Sequence, residues 1–405
     1  MYSIIEQNRI RDHMLRERLD TVLPAVMEET DTPFWLILCR EYNEDLVFPF
    51  ITPSLYPTAR RLTILVFADY GRERISLSMP DDALDQYYRN DWNRKNETQI
   101  QALERVIRTY DPGKIAVNIS EDYAYTGGLS AGLLKMLERE LPQEITERFV
   151  SSDTAGIRLL ETRTDSELRY WPEVMKEALE IIGSAFSDEM IIPGVTTCRD
   201  VMDYMTEQVN RRGISCWFPP DIDLQNENGR QGEDTVIQRG DLLHCDFGIT
   251  YLGLCTDTQR LCYVRKTPGE ELPGELAAAM IRNNRFQDIV RSQMQDGCTG
   301  NEVFLESVRK AREEGIRPML YSHPLGLFGH GCGPTIGLWN DQGPVYPSGE
   351  NRIHDRTGYA LELSTIEYLD MYKRDTYIFT EESVVHVNGN TDFLIEGRDR
   401  IKVIG

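Results

Sequence analysis

The sequence predicts an α/β protein of two domains, in which a smaller α/β domain precedes a larger domain that mixes strands and helices. Three observations predict this class. A chain of 405 residues is long enough for two or three domains. Its first third alternates short buried strand patterns with helical patterns. After Gly213 the pattern changes to two strands, two helices and two further strands. We therefore place the domains at residues 1–155 and 156–405.

The first domain is predicted from short apolar runs separated by helical periodicity. Helical patterns cover residues 3–28, 93–109 and 128–140. The strands are short runs rich in β-branched, leucine and aromatic residues, at Phe34–Cys39, Arg61–Phe67 and Lys114–Ser120. The polar stretch Ser151–Thr154 marks the expected end of this domain.

The second domain is predicted to open with two helices. A long amphipathic helix starts at Asp165 and is broken by Pro193–Gly194. The next helix has an N-cap pair at Thr196–Thr197 and a C-cap at Gly213. Later elements follow the same periodicities, with strands at 241–250, 255–264, 359–366 and 383–389 and helices near 273–295 and 300–315. The Gly/Pro-rich stretch 324–348 is predicted to be a loop, and loops of this length are usually functional or disordered.

Composition excludes several classes of function. A formal net charge of −22 disfavours nucleic acid and anionic membranes as partners, because phosphate binding needs a basic surface. No apolar run approaches the roughly 20 residues of a membrane-spanning helix, and the amino terminus lacks a secretory signal. The 8 cysteines form no Cys-x-x-Cys pair, so reduced thiols in a cytoplasmic protein are expected.

Two aspartates dominate the segment Asp241–Arg260, which reads as strand, turn and strand. A short hairpin loop that pairs Thr250 with Gly253 would place Asp246 directly opposite Asp257. Carboxylates this close repel each other and raise their own pKa values unless a cation intervenes.

Two glutamates repeat this arrangement. Glu362 and Glu381 flank the polar loop 367–374 and can face each other across it. Between the two pairs, the segment Phe328–Gly333 presents His330 among glycines. Two aspartates, one histidine and two glutamates form a ligand set for divalent metal, and these oxygen-rich ligands suit Mn or Fe better than Zn.

The order of these residues resembles that of the pita-bread metallopeptidases, the family of creatinase, aminopeptidase P, prolidase and methionine aminopeptidase. The resemblance rests on Asp-x-Gly, a second aspartate eleven residues on, Gly-His-Gly-x-Gly and two later glutamates. Three earlier segments extend it, namely Arg163–Glu167, Pro193–Thr196 and Trp217–Pro220. It implies a creatinase-type α/β N-terminal domain, a pita-bread catalytic domain and a homodimer.

The resemblance also implies roles for the ligands. Asp246 and Asp257 would bind one ion, Asp257 and Glu381 would bridge to a second, and His330 and Glu362 would complete the second site. The cofactor would be two divalent ions, with Mn favoured and Fe, Co or Zn as alternatives. Such ions activate a shared water for attack on a bound carbonyl, and Glu362 would shuttle the proton.

The substrate-facing residues depart from the family pattern. Family peptidases place a second histidine several residues after Gly-His-Gly-x-Gly, and Asn340 stands at the equivalent place. An asparagine amide can donate to an oxyanion, although it cannot change charge near neutral pH. His323 is a candidate to take over part of that role. The expected catalytic residues are therefore Glu362, His323 and Asn340.

Three functions remain open at this point. The leading interpretation is a dinuclear metal-dependent hydrolase that cleaves an amide bond in small peptides, of the Xaa-Pro aminopeptidase or dipeptidase type. The alternative keeps the fold and the metal but acts on a small non-peptide acid, as hydrolase or lyase. A binding protein without catalysis is the third interpretation, which the presence of all five ligands disfavours.

Overall fold

The computed structural model describes residues 1–398 and 400–405. The chain forms two compact units, Tyr2–Ser166 and Glu167–Gly405, and Met1 groups with the second. The predicted boundary between residues 155 and 156 lies inside the helix Asp153–Glu161, whose residues all belong to the first unit. As limits of functional domains, 1–155 and 156–405 stay a prediction.

The first unit is built on a mixed sheet of six strands in the order β4-β3-β2-β1-β5-β6. Its strands are β1 (Phe34–Arg40), β2 (Leu62–Ala68), β3 (Glu73–Ser76), β4 (Arg89–Asn90), β5 (Ile115–Val117) and β6 (Phe149–Ser151). β1 pairs antiparallel with β2 and parallel with β5. The three predicted strands are confirmed, because their apolar runs are buried in this sheet.

Six helices accompany this sheet. They are α1 (Ile4–Glu17), α2 (Leu23–Glu29), α3 (Gln99–Tyr110), α4 (Ala131–Glu140), α5 (Gln143–Thr146) and α6 (Asp153–Glu161). A π-helical turn, Arg18–Val22, joins α1 to α2. The prediction of helix from residue 93 is wrong at its start. Thr98 caps α3 by accepting from the Gln101 backbone N–H, and the Gln101 side chain accepts from the Thr98 N–H, so the helix begins at Gln99.

The helices of the second unit begin close to their predicted positions. They are α7 (Asp165–Ala185), α8 (Cys198–Arg212), α9 (Gly274–Gln293) and α10 (Gly300–Glu313). However, α7 starts at the last two residues of the first unit and ends at Ala185, before the predicted break at Pro193–Gly194. The predicted caps of α8 are confirmed. Thr197 forms a capping box with Asp200, and Gly213 ends the helix with a φ of 64° in the left-handed region.

The second unit contains a ten-stranded sheet with the main path β14-β16-β17-β13-β10-β8-β9, and a three-stranded sheet ordered β12-β11-β7. The short strands are β7 (Ser215–Cys216), β9 (Gly229–Gln231), β11 (Ile249–Tyr251), β12 (Leu254–Cys255), β14 (Pro318–Leu320), β15 (His323–Pro324), β18 (Asn390–Phe393) and β19 (Lys402–Ile404). The longer strands are β8 (Asp221–Asn226), β10 (Leu242–Phe247), β13 (Thr258–Val264), β16 (Thr357–Leu369) and β17 (Arg374–Val387).

β16 and β17 form a long hairpin, one face of which is apolar and the other polar at its centre. Tyr359, Leu361 and Leu363 join a core cluster with apolar residues of α9 and α10. Because side chains alternate along a strand, Glu362 and its even-numbered neighbours project from the opposite face. The predicted polar loop 367–374 is shorter than expected, since the hydrogen-bonded ladder continues as far as the pair Leu369 and Arg374.

In the part of the chain that the structure describes, no helix is long and apolar enough to cross a membrane. All 8 cysteines are free thiols, and six of them are buried.

Two glycines at helix positions give a paired test of this backbone. A Cβ added at Gly213 or at Gly183 would meet no atom within 4 Å. Gly213→Ala should lower the free energy of unfolding by about 1 kcal/mol, because alanine resists the left-handed conformation. Gly183→Ala, in the last turn of α7, should raise it by about 0.5 kcal/mol through helix propensity. Denaturant titration measures both; equal signs would contradict the assigned backbone at one of them.

Candidate metal centre

Four neighbouring strands bring polar side chains into one row on the face away from α9 and α10. Glu362 on β16 pairs directly with Glu381 on β17, as the sequence predicts. Glu381 pairs with Gln259 on β13, and Gln259 pairs with Asp246 on β10. Because paired residues project from the same face, these four side chains line a single strip of the sheet.

Asp257 reaches this strip by a register that differs from the predicted one. The turn consists of Leu252 and Gly253, with φ values of 56° and 80°, and Tyr251 pairs with Leu254. This two-residue turn moves the ladder by two positions, so Asp246 faces Gln259 instead of Asp257. Asp257 precedes Gln259 by two residues and therefore lies on the same face, diagonal to Asp246.

His323 is the imidazole that lies among the carboxylates. It sits on β15, opposite Ala360 of β16. Its Nε2 atom is 3.5 Å from Asp257 Oδ2, 3.7 Å from Glu381 Oε1 and 4.0 Å from Glu362 Oε2. Its Nδ1 donates to the Pro324 carbonyl oxygen at 3.0 Å. Burial lowers the pKa of His323, so a neutral ring turns its Nε2 lone pair toward the carboxylates.

Asp257, His323 and Glu381 place their ligand atoms within 4.8 Å of one another, as a metal ion requires. His330, the predicted ligand, does not belong to this group. Its ring is exposed and lies edge-on to His323, with 4.6 Å between ring centroids, and edge-on to Trp217 at 5.1 Å. The reason is the loop path, since Gly329 packs against the Trp217 indole where a Cβ would collide.

Without a cation, the ionised form of the carboxylates in the strip is unfavourable. Burial raises the pKa of Asp246, Asp257, Glu362 and Glu381, and their mutual repulsion raises the pKa of Asp246, Glu362 and Glu381 further. In the described structure, several of their buried oxygens have no hydrogen-bond partner, namely Asp246 Oδ1, Asp257 Oδ1 and both oxygens of Glu381. Clustered acceptors with a neutral imidazole fit a divalent metal.

Gln259 is a part of the strip that the sequence analysis missed. Its amide nitrogen donates to Glu362 Oε1 at 2.6 Å and to Asp246 Oδ2 at 3.4 Å. The amide thereby fixes the orientation of two of the predicted ligands. The strand parity of residues 257 and 259 could have identified it, because both must face the same side.

A second group, which is not among the predicted site residues, lies beside the strip on β8, β9, β10 and β17. Asp223 pairs with His244 across the strands, and its Oδ2 is 2.9 Å from His244 Nδ1. Arg230 donates to the same oxygen at 2.6 Å and lies over the Phe379 ring at 4.8 Å. His244 also contacts Phe379, with centroids 4.8 Å apart. The half-exposed guanidinium of Arg230 thus lies over the ring of Phe379. Phe379 and Glu381 are two residues apart on β17, so their side chains project from the same face of the sheet.

Asn340, the predicted substitute for a family histidine, is exposed in the loop after β15. Within the described residues it makes no side-chain hydrogen bond, and it does not join the carboxylate strip. Its neighbour Trp339 packs against Tyr321 and Phe379 with centroids 5.1 and 5.7 Å apart. Trp339 therefore packs against aromatic residues beside the carboxylate strip, whereas Asn340 does not. The role of Asn340 stays a prediction.

A strip of carboxylates around a half-buried neutral imidazole, on the sheet face away from α9 and α10, defines a candidate divalent-metal site. The model for metallopeptidase family M24 matches residues 173–387. This match covers more than half of the chain, so the chain belongs to that family. Its second unit has the pita-bread fold. Membership of the family supports the assignment of the chain to the metal-dependent hydrolases of peptidase type.

Solved structures share the fold over both units. An X-Pro aminopeptidase from Thermotoga maritima MSB8 is 16% identical, with a TM-score of 0.65 and coverage of 91% of this chain and 97% of that chain. An Xaa-Pro dipeptidase from Bacillus anthracis is 15% identical, with a TM-score of 0.63 and coverage of 96% and 99%.

The fold also occurs in a protein of another kind. The N-terminal domain of FACT complex subunit SPT16 from Cicer arietinum is 11% identical, with a TM-score of 0.61 and coverage of 96% of this chain and 97% of that chain. A comparison with curated protein sequences gave no match. At these identities the structural likeness establishes the fold alone.

Removal of metal should make the thermal stability depend on pH. The folded carboxyl groups have raised pKa values, so between the ordinary carboxyl pKa of about 4 and the raised value the folded chain holds protons that the unfolded chain has released. The melting temperature of chelated protein should therefore fall from about pH 5 to about pH 8 relative to Mn-loaded protein. Glu381→Gln should reduce this fall, and a chelated protein whose stability follows that of the loaded protein would contradict the prediction.

Proposed function

We propose that this protein is a dinuclear metal-dependent hydrolase that cleaves an amide bond in small peptides of the Xaa-Pro type. The observation that carries the proposal is the convergence of His323 with Asp257, Glu362 and Glu381, with Nε2 within 4.0 Å of all three carboxylates. Membership of family M24 supports the hydrolase class. The X-Pro aminopeptidase and Xaa-Pro dipeptidase among the structural neighbours motivate the substrate.

The ligand assignment changes at one residue from the sequence-based expectation. Asp246, Asp257 and Glu381 would hold one ion, and the second would be held by Asp257, Glu381, Glu362 and His323 in place of His330. The donor types favour Mn, with Fe, Co or Zn as alternatives. Bound divalent ions would supply Lewis acidity toward a carbonyl oxygen and a lowered pKa for water.

Proton transfer and contact with the substrate are assigned to residues of the chain itself. Glu362 Oε1 is fixed by the Gln259 amide, which leaves Oε2 to hold and pass on a proton. The exposed His330 ring lies edge-on to His323, with 4.6 Å between the ring centroids. Its role would be that of the second histidine for which the sequence analysis nominated Asn340 and His323.

The metal content of two variants tests whether His323 is the metal ligand and His330 the residue that contacts the substrate. His323→Ala should reduce the number of ions bound per chain, because it deletes a donor from the cluster. His330→Ala should retain the metal and lower kcat by about 100-fold, the scale of a lost transition-state donor. Elemental analysis and steady-state kinetics on both variants give the readouts. Metal loss in His330→Ala with full loading of His323→Ala would restore the sequence-based assignment.

Substrate class is tested with a panel of Xaa-Pro dipeptides, Xaa-Pro-Yaa tripeptides and matched Xaa-Ala peptides in the presence of Mn. We expect turnover that requires proline in the second position. Asp257→Asn should abolish turnover, because the Asp257 carboxylate lies within 4.8 Å of the ligand atoms of both His323 and Glu381. Fully loaded protein that cleaves no member of the panel would contradict the proposal.

Action on a small non-peptide acid is the second candidate, and Arg230 is the observation that favours it. Its guanidinium lies over Phe379 and, within the described residues, is held by one hydrogen bond to Asp223. The remaining N–H donors can pair with a carboxylate. A panel of small hydroxy and amino acids under the same conditions distinguishes this candidate. Protein that takes up no transition metal would instead favour the binding-protein interpretation.

The remaining expectations concern assembly and surroundings. We propose a cytoplasmic homodimer with a small peptide or small-molecule substrate and without nucleic-acid or membrane partners. Light scattering during gel filtration tests the dimer, and fractionation of cells that express the tagged chain tests the location.

A further inference from the structure

Tyr321 occupies a position on the metal-site face that no ligand assignment uses. The pairing of β14 and β15 with β16 follows one register, from Leu320 opposite Leu363 to His323 opposite Ala360. Tyr321 falls between them, and its backbone N–H donates to the Glu362 carbonyl oxygen at 3.2 Å. It therefore lies across from Glu362 and two residues from His323, with its side chain on their face of the sheet.

The hydroxyl of Tyr321 is buried and has no partner. The residue is 6% exposed, and its hydroxyl oxygen makes no hydrogen bond within the described structure. Ser364, diagonal to Tyr321 across the strands, carries a second buried hydroxyl that is close enough to influence the phenol, but neither oxygen has a partner with full hydrogen-bond geometry. A buried unpaired hydroxyl costs about 1–3 kcal/mol, which a phenylalanine would avoid.

Packing fixes the phenol ring in place. Trp339 lies edge-on to it, with centroids 5.1 Å apart and an interplanar angle of 83°. Trp339 also contacts Phe379, and it is 44% exposed. The Tyr321 ring is thus one side chain away from solvent and is held at the border between the aromatic surface and the carboxylate strip.

The chemistry of the unpaired groups distinguishes Tyr321 from its neighbours. The unpaired oxygens of Asp257 and Glu381 are acceptors, which a cation would satisfy. A protonated phenol is also a donor, and its missing partner is an acceptor such as a carbonyl oxygen. Asn340, the donor expected from the sequence, is exposed and does not join the strip.

We propose that the Tyr321 hydroxyl is a catalytic donor that hydrogen-bonds the oxygen of the substrate carbonyl and stabilises the negative charge that develops there. This inference rests on the proposed hydrolase function. It assigns to a buried phenol, already in position before the substrate arrives, a share of the stabilisation that sequence reasoning gave to Asn340. Such preorganised donors act most strongly where water is excluded.

The test compares Tyr321→Phe with Tyr359→Phe in the Mn-loaded full chain. Tyr359 is a matched control, because it is a buried tyrosine of β16 that points into the helix-packed core. Tyr321→Phe should lower kcat by about 100-fold with a much smaller change in KM. Its metal content should be unchanged and its melting temperature equal or higher, since an unpaired hydroxyl is removed.

Tyr359→Phe should give the opposite pattern. Its hydroxyl accepts from Thr357 Oγ1 at 3.1 Å, so its loss should lower the melting temperature and leave kcat unchanged. Full activity in Tyr321→Phe would overturn the proposal. Activity lost together with metal or thermal stability in Tyr321→Phe would also overturn it, because that pattern indicates a structural role.

A binding measurement separates this inference from the proposed function. Acetohydroxamate is a small metal chelator that presents a carbonyl oxygen and has no peptide specificity. If wild-type protein cleaves no peptide, calorimetric titration of the Mn-loaded proteins still decides. Binding to Tyr321→Phe that is weaker by about tenfold, or 1.4 kcal/mol, supports the donor role. Equal affinity of both proteins overturns it.

Discussion

Repulsion among four carboxylates on one sheet face is the constraint on which this structure depends. Asp257 and Glu381 are fully buried, and Asp246 and Glu362 are half-buried beside them. Each charge raises the cost of the others, because burial weakens their screening by water. A fold gains nothing from this arrangement unless something positive occupies it. The neutral His323, which offers a lone pair instead of a proton, makes a metal cation the natural occupant.

The sheet satisfies two opposite demands through strand alternation. One face of β16 packs Leu361 and Leu363 into an apolar core with α9 and α10, which gives the backbone its rigidity. The other face holds Glu362, whose position is fixed because the same peptide units carry both sets of side chains. Polar groups that would be costly in isolation are thereby held in a defined geometry, and the core on the opposite face supplies the stability.

Sequence reasoning predicted two strand pairings at the candidate site, and the structure confirms one of them. The pairing of Glu362 with Glu381 follows from symmetric distances to a turn, and it holds in the structure. The pairing of Asp246 with Asp257 does not hold, because the turn at Leu252–Gly253 is one residue later than the predicted turn, which moves the partner of Asp246 by two residues to Gln259. His330 was preferred because glycines surround it, yet those glycines accommodate Trp217 and the loop path. His323, predicted as a substrate-contacting residue, lies among the carboxylates, and its role stays a prediction.

The sequence by itself determined the class of the fold, the order of the elements and the caps of α8, and it predicted the carboxylates of the candidate site. These features depend on local periodicity, on residue chemistry and on spacing along the chain. Only the tertiary structure decided which histidine meets the carboxylates, that Gln259 joins them, and that Tyr321 lies across from Glu362. Those relations arise where β13, β15, β16 and β17 come together from distant parts of the chain, and a shift of one residue in any register would turn the side chains to the other face.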